Sequence, residues 1–208
     1  MSMETLNLKA IPICYKKNAY RLSLKEFNII KNIKYTNYGA SGDNVASISA
    51  GQKTLLNTKG LNKLKKFMVQ QAEDYTKNVL QIKDKIYLTQ SWSTLAKSNA
   101  THHCHNHPNT FISVVYYAQC EKGFLAFDVR RSSLQEGLNL EYTVDKYNIY
   151  NSQAWDLPVE TGQIVLFPGH IFHMPRPNPS PTSKILIGAN FFIKGTLGSH
   201  EMVSFLKI

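Results

Sequence analysis

Residues 101–117 read THHCHNHPNTFISVVYY, and the two halves of this stretch carry different signals. Four of the seven histidines, His102, His103, His105 and His107, crowd into the first half, while Phe111–Ala118 is an apolar, β-branched and aromatic run that reads as a strand. If the histidine half is also extended, alternate side chains share a face, so His103, His105 and His107 project together while Cys104 and Asn106 point away. His170 and His173 follow the run Ile164–Phe167 further along the chain. Neighbouring imidazoles on one strand, joined by a third from a distant strand, form a set that grips a transition metal and leaves coordination positions open.

Working outward, the period from Lys85 onward is that of strands. Ile86–Gln90, Phe111–Ala118, Phe124–Val129, Glu141–Val144, Ile164–Phe167 and Lys184–Ile193 are short β-branched or aromatic segments divided by turn-formers. No helical pattern intervenes, which predicts an antiparallel sandwich rather than a parallel nucleotide-binding sheet. Met174–Ser183 contains Pro175, Pro177, Pro179 and Pro181 and is expected to loop between the last two strands, because proline cannot donate to a ladder.

The first 85 residues are different. Residues 4–16 read as an extended lead-in. Ser23-Leu24-Lys25-Glu26 has the form of a capping box, and Leu24, Phe27, Ile30 and Ile33 then predict a helix over 24–33. The Asn-, Gly- and Ser-rich stretch Tyr35–Thr58 predicts loop with some short strand. Leu61, Leu64, Met68, Ala72, Tyr75 and Val79 recur at helical spacing and predict a second helix over 60–80, its stripe serving as packing.

Composition sets the outer limits. At 208 residues one domain is expected over 1–208, with residues 1–85 as an α-rich support region and 86–208 as the β core. A hydrophobic fraction of 43% with 18% charged residues is that of a soluble globular chain, and no apolar run is long enough to cross a bilayer. MSMETLNLKAIPI has no basic-then-apolar leader pattern, so a cytoplasmic location is expected. Cys14, Cys104 and Cys120 are odd in number and form no CxxC, which argues against a disulfide framework. The net charge of +10 is concentrated in residues 1–85, which hold 15 Lys or Arg against 6 Asp or Glu. Weak, non-specific polyanion binding through that region is one reading, and a lysine-rich solvated surface is the other.

The motifs carry a resemblance. His105-Asn106-His107-Pro108-Asn109-Thr110, followed by Ser113-Val114-Val115-Tyr116-Tyr117, resembles the HxHPNSxxSGVYY signature of a prolyl-hydroxylase-like branch of the iron(II)/2-oxoglutarate oxygenases. Trp92 stands ahead of the histidines where that branch has a tryptophan, and Phe127-Asp128-Val129-Arg130 resembles its FxDPR. Gly162-Gln163-Ile164-Val165-Leu166-Phe167-Pro168, with His173, resembles its GxLVLFP…H segment.

The resemblance implies a mainly β fold, a double-stranded β-helix or jelly roll with N-terminal supporting α-helices. It also implies Fe(II) as cofactor, with 2-oxoglutarate and O2 as co-substrates for hydroxylation of a further substrate. By family position His105, His107 and His173 are the metal ligands and the catalytic centre, with His103 as an alternative to His107. The superfamily at large has a carboxylate two residues after its first histidine, and this chain has His107 there. Lys184, at the start of KILIGANFF, stands where the family places a cation for the distal carboxylate of 2-oxoglutarate. Tyr116 or Tyr117 can offer a hydroxyl to that carboxylate, and Arg130 can meet substrate or co-substrate. His170 is expected beside the ligands rather than among them, and Cys104 is expected to be buried packing. Two rival readings remain at this stage: a three-histidine cupin-type dioxygenase that needs no keto acid, and a metal-stabilised jelly roll without catalysis.

Overall fold

A computed structural model describes residues 10–37, 46–51, 53–128 and 142–208. The N-terminal part contains strand β1 (Cys14–Lys16), helix α1 (Leu24–Lys31), strands β2 (Tyr35–Asn37) and β3 (Ser47–Ser49), and helix α2 (Asn62–Asp74). A 3-10 turn, Leu55–Asn57, precedes α2, and a π-helical turn, Tyr75–Val79, continues it. Strands β4 (Lys85–Ala96), β5 (Ile112–Gln119), β6 (Gly123–Asp128) and β7 (Ala154–Val159) follow, then β8 (Ile164–Pro168), β9 (His173–Pro175) and β10 (Lys184–Lys194). A terminal pair, β11 (Thr196–Leu197) and β12 (Leu206–Lys207), closes the chain.

Among the described residues the strands form, besides the β11-β12 pair, a seven-stranded sheet in the order β1-β8-β5-β10-β4-β3-β2 and a three-stranded one, β7-β6-β9, with antiparallel pairing in both. This is the antiparallel sandwich that the strand pattern predicts, in the form of the double-stranded β-helix that the resemblance implies. Its central strands are buried on both faces, and side-chain parity sorts the residues. From β5, Ile112, Val114, Tyr116 and Ala118 join a core with Leu64, Met68, Ala72 and Ile30 of the helices. Val115 and Tyr117 instead join Leu125, Phe127, Val165, Phe167 and Leu186 between the two sheets. The helices therefore cover the outside of the large sheet, and the sandwich interior lies on its other side.

The helix readings hold with small shifts. Ser23 Oγ accepts from the Glu26 N–H at 3.3 Å, and the Glu26 carboxylate accepts from the Ser23 N–H at 2.9 Å, so the capping box is closed. Leu24, expected on the packed face, is 83% exposed, because the cap turns the first residue of α1 away from the sheet. On α2 the stripe Leu64, Met68, Ala72 and Tyr75 is buried, whereas Val79 is 42% exposed once the π-turn shifts the phase.

Three strand readings change. Ile86–Gln90 is the first part of a twelve-residue strand that runs on through Trp92. Tyr142–Val144 is not a strand, and Glu141 lies outside the described residues. The small sheet takes Ala154–Val159 instead, where Pro158 and a run of exposed residues hid an outer strand. Finally, Met174 and Pro175 belong to β9 opposite Ala126 and Leu125, a short edge strand that tolerates its proline.

One contact ties this architecture to the site. Gly188 on β10 faces Trp92 on β4, and a Cβ at Gly188 would lie 2.5 Å from the Trp92 ring. Gly188→Ala is therefore expected to destabilise the fold by about 1–3 kcal/mol through overpacking. Urea denaturation followed by tryptophan fluorescence checks this, and Trp92→Leu in the same chain should recover part of the loss.

Candidate metal centre

The histidine segment is extended but is not a strand. Pro108 has no N–H to give a ladder, and Asn109 adopts φ 54°, which turns the chain. Four backbone hydrogen bonds fix the segment instead. His105 and His173 exchange a pair, at 3.0 and 2.8 Å, the His107 N–H donates to Gly169 O at 2.9 Å, and the Gly169 N–H donates to Phe111 O at 3.0 Å. Gly169 has to be glycine, since a Cβ there would lie 2.4 Å from Thr110 O. The segment thus spans the mouth of the sandwich from β9 to the large sheet.

This threading brings His105, His107 and His173 together. Their ring centroids lie 4.5–5.2 Å apart, and one nitrogen from each falls within 4.8 Å of the others. Each Nδ1 has a hydrogen-bond partner: His103 O for His105 at 2.9 Å, Ile171 O for His173 at 2.9 Å, and Asn190 Oδ1 for His107 at 2.8 Å. Ser113 Oγ adds a second contact to His107 Nδ1 at 2.6 Å. A donor hydrogen on Nδ1 leaves the Nε2 lone pair as the ligand atom. His105 Nε2 and His107 Nε2 stand 3.3 Å apart. Two nitrogens bound side by side to one ion at about 2.1 Å would sit about 3 Å apart, so the donors fit a single first-row metal. Among the described residues no carboxylate joins a group of three or more such donors.

Burial keeps these imidazoles neutral. Desolvation pushes His107 down to about 4 and holds His105 below its ordinary value, with neighbouring histidines adding to the effect. His173, 4% exposed, is pushed further down for the same reason. Neutral imidazole is the ligating form.

The inner face of β10 supplies the second half of the site. Leu186 faces the sandwich interior, Gly188 meets Trp92 and Asn190 meets His107, while Ile185, Ile187, Ala189 and Phe191 face the helices. Lys184 has the inward parity and is 2% exposed. Its ammonium donates to Arg176 O at 3.3 Å, and among the described residues no carboxylate pairs with it. Burial lowers its pKa from the ordinary lysine value. Nearby, the fully buried Tyr117 hydroxyl has no hydrogen-bond partner among the described residues. A cavity lined by His102, Thr94, Pro175, Lys184 and Leu186 lies between His102 and Lys184.

Several sequence expectations change here. Tyr116 is on the wrong face: it packs among the helix residues and its hydroxyl donates to Tyr20 O at 3.0 Å. Tyr117, one residue on, has the inward parity. Arg130 lies outside the described residues. His103 groups with His102 and His105 rather than with His173, so it does not replace His107 in the inner set. Strand alternation would put His102 on the face opposite His105, yet its ring lies 4.5 Å from that of His105, because the segment is not a regular strand. Cys104 is half-buried rather than buried. His170 is exposed and meets Asn106 through its carbonyl at 3.5 Å. Ser113 and Asn190 were not singled out; a lone asparagine in the apolar run KILIGANFF, on the parity of Lys184, was the available signal.

The depressed imidazoles fix a pH dependence for the metal-free protein. Between pH 6.5 and about 4 the unfolded chain takes up protons that His107 in the fold refuses, so stability falls as the pH falls through that window and is level above it. Melting temperature against pH reads this directly, and His107→Gln should flatten the slope by one proton's share.

Residues 90–190 match the family model described as "Putative 2OG-Fe(II) oxygenase". The chain matches no curated protein sequence. Among solved structures it is similar to the non-heme α-ketoglutarate-dependent carbocyclase SnoK from nogalamycin biosynthesis, at TM-score 0.61 and 11% identity over 89% of this chain and 81% of that one. It is similar to a prolyl hydroxylase from Trichoplax adhaerens bound to a hypoxia-inducible-factor peptide, at TM-score 0.56 and 12% identity over 89% and 86%. HygX from Streptomyces hygroscopicus, with nickel and 2-oxoglutarate bound, gives TM-score 0.54 and 7% identity over 87% and 82%. At these identities the likeness is one of fold. The family match thus spans the part of the chain that carries every histidine of the inner set, and the solved structures share its fold.

Proposed function

We propose that this protein is an Fe(II)/2-oxoglutarate-dependent dioxygenase that hydroxylates its substrate. The observation that carries the reading is a buried cation, Lys184, and a buried hydroxyl, Tyr117, within the same sandwich as three convergent imidazoles; among the described residues the first has no carboxylate partner and the second no hydrogen-bond partner. An uncompensated buried ammonium is costly, as is a buried hydroxyl without a partner. A dicarboxylate keto acid satisfies both groups at its far end. This favours the keto-acid reading over a three-histidine dioxygenase without it.

In this reading Nε2 of His105, His107 and His173 hold the iron, and their Nδ1 partners keep the rings from turning. Iron(II) with bound 2-oxoglutarate supplies O2 activation driven by decarboxylation of the keto acid. Lys184 neutralises the distal carboxylate, and Tyr117 donates to it and fixes its direction. Leu186 and Phe167 keep water from the interior between them. The basic residues of 1–85, including exposed Lys63 and Lys66 on α2, lend themselves to weak, salt-sensitive association with polyanions. Retention on heparin at low ionic strength tests that separately.

The main test needs no substrate. Anaerobic addition of Fe(II) and 2-oxoglutarate to metal-free protein should give a visible charge-transfer band, and oxygen should then release succinate. Lys184→Met should weaken keto-acid binding at least tens-fold, since truncating one partner of a buried charge pair costs on the order of 2–5 kcal/mol. Lys184→Arg should retain it. Tyr117→Phe should cost about tenfold by removing a hydrogen bond to a charged group, while Tyr116→Phe should leave it unchanged. Alanine at His105, His107 or His173 should sharply reduce iron retention. Unaltered 2-oxoglutarate affinity in Lys184→Met would overturn the assignment of Lys184.

A further inference from the structure

The mouth of the sandwich holds a second set of three imidazoles. His102, His103 and His105 each place one nitrogen within 4.8 Å of the other two. The ring centroids of His102 lie 4.5 Å from His103 and 4.5 Å from His105, and those of His103 and His105 are 5.1 Å apart. This set shares His105 with the inner one. Because His105 Nδ1 is held by His103 O at 2.9 Å, His105 has one nitrogen, Nε2, to offer to either set. A single lone pair cannot serve two ions, so the sets are alternatives. Burial gives them an order: His103 is exposed, His102 and His105 are half-buried, and His173 at the far end is 4% exposed.

We propose that His102, His103 and His105 form an outer docking site for a divalent transition-metal cation, from which the ion passes to His107 and His173 through the shared His105. The proposal rests on the inner set being the resting metal site. A hydrated cation arriving from solvent gives up water to exposed imidazoles first, while it is still largely solvated. The remaining exchange, His102 and His103 for His107 and His173, is then intramolecular, and its rate is set by local concentration rather than by bulk metal. A relay of this kind leaves the inner equilibrium untouched and accelerates loading and unloading equally.

Cobalt(II) is the probe, since its absorption reports the ligand set without turnover. In stopped-flow experiments His103→Ala, a change at an exposed side chain, should slow cobalt association and chelator-driven release by the same factor, about tenfold, with the equilibrium affinity unchanged. The double variant His107→Ala, His173→Ala should still bind one cobalt, more weakly and with an altered spectrum. Adding His103→Ala to it should abolish that binding. Unchanged association in His103→Ala, or two cobalt ions bound at once by the unaltered protein, would overturn the relay. Wild-type affinity in the double variant would instead overturn the inner set, and the relay with it. None of these readouts involves 2-oxoglutarate, so failure of the keto-acid reading leaves them separate.

Discussion

The two backbone hydrogen bonds between His105 and His173, at 3.0 and 2.8 Å, hold the arrangement together. They add one residue of an otherwise irregular segment to the open edge of the small sheet, beside β9. Two residues on, His107 is tied to the large sheet through Asn190, Ser113 and the carbonyl of Gly169. The segment is therefore a clasp across the mouth of the sandwich as well as the carrier of its imidazoles. It also covers a sheet edge that would otherwise present unpaired groups to solvent. Position of the donors and closure of the fold depend on the same contacts.

The donor set has an electrostatic consequence. Three neutral imidazoles leave a divalent ion with its full charge, whereas two with a carboxylate would leave half of it. A dianionic co-substrate then meets a more positive centre at its keto-acid end. In the proposed reading the far end would rest on Lys184, a point charge that grips a carboxylate less rigidly than a forked arginine would. Tyr117, of inward parity on the adjoining strand β5 and packed in the same interior cluster as Leu186, would supply the direction that lysine lacks. The absence of a ligand carboxylate and the use of lysine fit together on this view: stronger attraction at one end accompanies a looser hold at the other.

Much of this was legible in the sequence, and the failures have physical causes. The capping box at Ser23, the α2 stripe and the β5, β8 and β10 strands follow from local chemistry and periodicity, and the structure has them. His105, His107 and His173 converge although the reason given for it, regular strand alternation, does not apply. Pro108 and Asn109 break the strand, and long-range pairing with His173 does the work instead. The choice between Tyr116 and Tyr117 could not be read from the run VVYY, because a strand buried on both faces has no polar side to set its parity. The strand Ala154–Val159 was missed because it is mostly exposed, lacks an alternating apolar face and contains Pro158, as a loop would.

Strand β10 shows how one segment serves both stability and chemistry. Ile185, Ile187, Ala189 and Phe191 pack against the helix side of the sheet, and Lys184, Leu186, Gly188 and Asn190 alternate with them toward the interior. A slip of one residue would bury Lys184 and Asn190 among the helices and turn apolar side chains onto the histidines. The register is held at two irregularities, one on each flank. Against β5 it shifts between Ile185 and Leu186, and against β4 between Asn190 and Phe191. Ala118 and Thr89 are the extra residues on the partner strands, and Thr89 secures the second by donating from Oγ1 to Asn190 O at 3.0 Å. Bulges kink and twist a strand locally, and here they bracket Leu186 to Asn190, the stretch that faces the cavity and His107. The inward row Leu186, Gly188 and Asn190 is thus locked at both ends by backbone pairing, so the aim of Asn190 at His107 is set by the sheet itself.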